Sequence, residues 1–157
     1  MDTREDYILR FIGLLRQAIA QILNYRIAGQ YEEALLAAFS AQEKLFGRKT
    51  EELAAMDLEE LLRLLRLDET SAVGREKVLG YAALLRETGL VYEAMSRHDL
   101  AVGCFQLALH IMLTVVVEEE TRSDEGSTLR RDLLARIPPE QLHAPVVELL
   151  RRAGEAN

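Results

Sequence analysis

Cysteine, proline, aromatic residues and excess positive charge are all scarce in this chain, and each scarcity closes off a class of protein. One cysteine among 157 residues leaves no intramolecular disulfide and agrees with a reducing compartment. Aromatic residues make up 6% of the chain and prolines number three. A net charge of −7 and a pI near 5.1 provide no general basic field for nucleic acid or anionic lipid. The longest uncharged apolar run, around 107–117 and broken by His110, is about a dozen residues against the ~20 of a membrane span. The opening is acidic, with Arg10 and Arg16 among its apolar positions, and has the form of neither a signal peptide nor a transit peptide. The expectation is a cytoplasmic protein with neither a nucleic-acid nor a membrane partner.

What is abundant is apolar: 49% of residues, led by Leu and Ala. These residues, with Glu, Arg and Gln, lose little on entering a helix. An all-α chain of one domain follows, spanning 1–157, in about seven helices. The first runs from Thr3, a candidate cap, to about Ala28, and Gly29 stops it. Its apolar residues cover about half the circumference, too much for one neighbour. A second runs from about Tyr31 to Leu45 and ends at Gly47. Two short helices follow, one capped by Thr50 and one by Asp57 with Glu60 behind it. Longer helices are expected from about Ser71 to Ser96 and Asp99 to Glu120. Next come an acidic loop at 118–127, a helix at about Thr128 to Arg136, and a last one from Glu140 to Ala153, with Pro139 in its first turn and Gly154 behind it.

Chemistry-bearing residues are present without the spacings that chemistry needs. Cys104 and His110 are the natural thiol nucleophile and base. On one helix they lie about 120° apart, Cys104 on the apolar arc and His110 on a polar strip with Gln106 and Thr114. His98, His110 and His143 are scattered, with no H-x-x-x-H, E-x-x-H or C-x-x-C spacing for a metal. The RHD at 97–99 stands alone, without the rest of a kinase motif set. Glu32–Glu33, Glu51–Glu52 and Glu59–Glu60 occupy first turns of helices, where they complement the dipole. Arg130, Arg131, Arg136, Arg151 and Arg152 are nearly neutralised by Asp132, Glu140, Glu148 and Glu155. No phosphate-binding glycine loop or nucleophile elbow occurs. The reading is a non-enzymatic chain with no catalytic residues, no metal and no cofactor.

One pattern does recur. Gly89, Tyr92, Ala101, Phe105 and Ala108 stand at the offsets of a tetratricopeptide (TPR) repeat, and Tyr25, Gly29, Tyr31, Ala34 and Ala41 repeat it in weaker form. Ala34 and Ala101 are 67 positions apart, close to twice the ~34-residue period. Small residues at such places let two antiparallel helices approach closely. The chain therefore resembles TPR-like helical-repeat proteins, and the resemblance implies antiparallel hairpins with a C-terminal capping helix. The opening Asp6-Tyr7-Ile8-Leu9-Arg10, with Gly29, Tyr31, Ala34 and Leu35, also resembles a bacterial family of small helical proteins of unknown function, which implies no activity.

TPR domains hold peptides in a concave groove. The matching offsets here are Arg16, Ile19, Leu23, Arg26 and Ile27, then Ala83, Arg86, Leu90, Glu93 and Ala94. These are mainly apolar and lack the Lys and Asn of a carboxylate clamp. The function implied is a protein–protein interaction or scaffold module holding a protein partner or a second copy of itself. The alternative is a small-ligand sensor with a pocket between helices. Surplus apolar surface on the first helix, at Ile8, Ile12, Ile19 and Leu23 or at Leu14 and Tyr7, suits either a two-fold homodimer or cover by the C-terminal helix.

Overall fold

In a computed structural model, which describes residues 3–67, 69–119 and 126–155, the chain is all-helical. Eight α-helices occur among the described residues. They are α1 (Thr3–Ile27), α2 (Tyr31–Phe46), α3 (Thr50–Ala55), α4 (Leu58–Arg66), α5 (Ser71–Ala94), α6 (His98–Glu118), α7 (Ser127–Arg136) and α8 (Ala144–Ala153). The Thr3 side chain and the acidic loop at 120–125 lie outside the described residues.

The helix ends follow local chemistry, with three departures from the sequence reading. Gly47 and Gly154 close α2 and α8 in the left-handed conformation, at φ of 71° in each case, which costs glycine nothing. Asp57 caps α4 by accepting a hydrogen bond from the Glu60 amide at 2.8 Å. Thr50 is not a cap: it is the first residue of α3, and its hydroxyl lies buried with no hydrogen-bond partner. The cap the spacing did not single out is Thr70, whose hydroxyl accepts from the Val73 amide at 3.3 Å at the start of α5. The expected last helix is split. Pro139–Gln141 forms one 3-10 turn and the helix proper begins at Ala144. Pro145 is the physical reason: it has no N–H for the carbonyl of Gln141 four residues back, and its ring would clash there, whereas in the first turn of α8 neither matters.

α5 and α6 pack side by side and carry everything else. α1 and α2 pack on each other and on α5, α4 packs on α5, and α7 and α8 pack on α6. Where α5 meets α6, a Cβ on Gly89 would stand 2.5 Å from Phe105 Cε1. The ring therefore occupies the space of a missing side chain. Phe11, Phe46 and Tyr81 form an edge-on aromatic chain, with centroids 5.8 and 5.3 Å apart, that joins α1, α2 and α5. The uncharged stretch is longer than the dozen residues read around 107–117: it runs from Leu100 to Val117, and by length and composition α6 is apolar enough to cross a membrane. Here Phe105, Ala108, Leu109, Ile111, Met112 and Leu113 are buried among protein neighbours, and α6 is the central helix of the core.

α8 does not cover α1; it packs on α6. Ile8, Ile12, Ile19 and Leu23 are half-buried, whereas Tyr7 and Leu14 are exposed. The exposed apolar surface of α1 is at Tyr7 and Leu14 on one edge and at Leu9 and Ile27 on another face.

Gly89 and Gly103 offer a matched test of the α5/α6 contact. Both are helical, but a Cβ on Gly103 meets nothing within 4 Å. Gly103→Ala is expected to gain up to about 1 kcal/mol from helix propensity. Gly89→Ala is expected to lose about 1–3 kcal/mol by overpacking against Phe105. Urea unfolding of the two variants checks the opposite signs.

Candidate functional site

Of the positions expected to line a groove, some lie together. Ile19 of α1 and Ala83 and Arg86 of α5 line a cleft of about 470 Å³. Its remaining wall is α7, through Leu129 and Asp132, with Glu87 at the floor. Leu90 is buried, Leu23 half-buried, and Arg16, Ile27 and Ala94 are exposed without lining the cleft. Glu93 is exposed and faces Arg136 of α7 at 3.8 Å. The third wall was not visible in the repeat offsets, because α7 belongs to neither hairpin.

Alternating charges stitch this cleft together. Arg26 approaches Glu87 at 3.9 Å, Glu87 accepts a hydrogen bond from Arg86 at 3.0 Å, and Arg86 donates to Asp132 at 2.5 Å. Asp132 also accepts from Arg136 at 3.0 Å. Partial burial pushes the Asp132 carboxyl up, but hydrogen bonds from Arg86 and Arg136 outweigh this and hold it below its ordinary 3.8. Two buried atoms of this network have no hydrogen-bond partner among the described residues, Arg26 Nε and Glu87 Oε2. Glu87 is only 8% exposed, so that oxygen is costly to leave unmatched.

Cys104 is half-buried, and burial pushes its thiol up to about 12, the opposite of the shift that activates a nucleophilic thiol. The polar strip of α6 is buried at Gln106 and half-buried at His110 and Thr114. Gln106 is 3% exposed; its amide donates to the Gln141 carbonyl at 3.1 Å and accepts from the His143 amide at 2.6 Å. That pair of bonds fastens the segment leading into α8. His110 lies beside it, its pKa lowered by burial and by nearby His143. No group of three or more His, Cys, Asp or Glu side chains converges among the described residues.

A second concavity lies on the far side of α1 and α2, away from α5. It holds about 460 Å³ and runs between two parallel stripes. One stripe is Leu14, Gln17, Ala18, Gln21 and Tyr25; the other includes Glu33, Leu36, Ala37, Ser40, Ala41 and Lys44. Leu14 is 49% exposed and Leu36 67%.

Two solution measurements follow from these environments. Iodoacetamide at pH 8 is expected to modify Cys104 far more slowly in the native protein than in urea, and equal rates would overturn the raised thiol pKa. For Asp132 a depressed carboxyl contributes stability that is complete above about pH 3.8 and lost as the pH falls through its folded value. Asp132→Asn should therefore flatten the loss of stability below pH 3.8, measured by urea midpoints across an acid series. Compared with family models, curated proteins and solved structures, the chain matches none.

Proposed function

We propose that this chain is a non-enzymatic protein–protein interaction module, built from TPR-like helical hairpins with α8 as the cap, which docks its partner in the outer α1/α2 groove. The observation that carries the reading is the exposure of Leu14 and Leu36 on either side of that groove. In a helical-repeat array each hairpin buries its faces on its neighbours, and a terminal hairpin needs a polar outer face unless something docks there. The exposed face of α8 carries one large apolar side chain, Val147, beside the Glu148–Arg151 pair at 2.5 Å. The outer face of α1/α2 carries two, Leu14 and Leu36, lining one groove. Its small residues Ala18, Ala37, Ser40 and Ala41 leave a channel wide enough for the side chains of a docked helix. The Gly89–Phe105 approach and the packing of α1/α2 on α5 support the hairpin reading.

A second reading, the small-ligand sensor, draws on the α1/α5/α7 cleft, where Glu87 Oε2 and Arg26 Nε lack hydrogen-bond partners within a largely apolar wall. It ranks below the first because Arg86 and Asp132 there already satisfy each other.

Leu36→Glu tests the leading reading. In native lysate the chain is expected to elute above its 17.8 kDa mass. The variant should elute at that mass with an unchanged melting temperature, since Leu36 is exposed. Elution of both at the single-chain mass would overturn the proposal.

A further inference from the structure

Charge and size along α2 are arranged so that the stripe complements itself when reversed. Glu33 and Lys44 bound the outer groove at its two ends. They are eleven positions apart, about three helical turns and about 16 Å, and so share one face. Their midpoint falls between residues 38 and 39. A copy of α2 laid antiparallel about that midpoint sets Glu33 opposite Lys44 twice. The same register sets Leu36 opposite Ala41 and Ala37 opposite Ser40. Negative faces positive at both ends of this register, and at its centre small faces small. Neither Glu33 nor Lys44 takes part in a salt bridge among the described residues. A parallel copy would instead oppose like charges at both ends.

We propose that the occupant of the outer groove is a second copy of this chain, packed α2 against α2 in antiparallel about a two-fold axis. The result is a four-helix bundle in which each Leu36 is covered along the edge of the α2/α2 contact. This rests on the interaction-module reading and names its partner. A two-fold contact must use one patch twice, and this patch carries both members of its own charge pair. Ala37, Ser40 and Ala41 let the two α2 backbones close to the ~8 Å end of the helix-packing range. On the flanking stripe of each copy, Tyr25 stands at the Glu33 end and Leu14 at the Lys44 end. The dimer therefore brings apolar edge to apolar edge as it brings charge to charge.

Sedimentation equilibrium on the purified full chain, in low salt, tests this. The native chain should show about twice the 17.8 kDa mass at tens of micromolar. Glu33→Lys and Lys44→Glu should each raise the dissociation constant at least about tenfold, because each reversal opposes like charges at two places. The double variant Glu33→Lys/Lys44→Glu should restore it to within about threefold, and 1 M salt should erase the differences among all four proteins. Leu36→Glu should be monomeric, with thermal melts verifying that each variant is folded. A native monomer at tens of micromolar overturns the proposal. So does a dimer indifferent to both single reversals, or one the double variant fails to restore. Should the purified chain be a monomer while lysate still yields a larger, Leu36-dependent particle, the dimer is wrong and the interaction module stands. A single-chain mass in both overturns both.

Discussion

At Gly89 the backbone of α5 comes so near α6 that the Phe105 ring fills the room a β-carbon would take. That approach sets the separation of the two longest buried helices, and each of the other packed layers is referred to one of them. α1, α2 and α4 rest on α5; α7 and α8 rest on α6. A wider α5/α6 spacing would push the two sets apart and strand Phe46, which touches both buried clusters. Because interiors are close-packed, such a displacement is not absorbed locally.

The polar interactions act on a different axis. Arg26, Glu87, Arg86, Asp132 and Arg136 alternate in sign across α1, α5 and α7. These helices share little apolar surface at the cleft, and the chain of charges holds α7 in place beside it. Partial exposure limits what each pair contributes, so the network's main effect is to fix α7's position. Gln106 plays the corresponding part for α8, with both ends of its amide engaged by main chain. Apolar contact thus sets distances in this protein, and directional polar contacts set registers.

Much of the architecture is legible in the sequence because its signals are local. Apolar periodicity places the long helices, and Gly47, Gly154 and the Asp57 cap mark ends through backbone chemistry that needs no tertiary partner. The misreadings share a cause. Thr50 has the right side chain for a cap but the wrong backbone position, one residue inside the helix. The break before α8 is set by Pro145, and a helix drawn from Pro139 passes over it. Gln106 and His110 sit on a strip that periodicity assigns to solvent, yet a segment some 35 residues later in the chain folds over it. The candidate site divides the same way. Ile19, Ala83 and Arg86 line one cleft, while α7's contribution to it depends on a contact distant in sequence. The outer groove is the reverse case: its residues are all in view in α1 and α2, but only the packing shows that no other helix claims them.

The placement of α6 bears on how this protein is made. Its 21 residues are made before the helices that cover its far side, α7 and α8, and emerge ahead of them. For that interval the most apolar segment of the chain is joined to α5 along one flank only. A nascent chain in this condition presents the sort of surface that chaperones and membrane-targeting factors recognise. Its solubility then depends on how soon the last two helices arrive, and a chain ending after residue 119 would keep that surface for good.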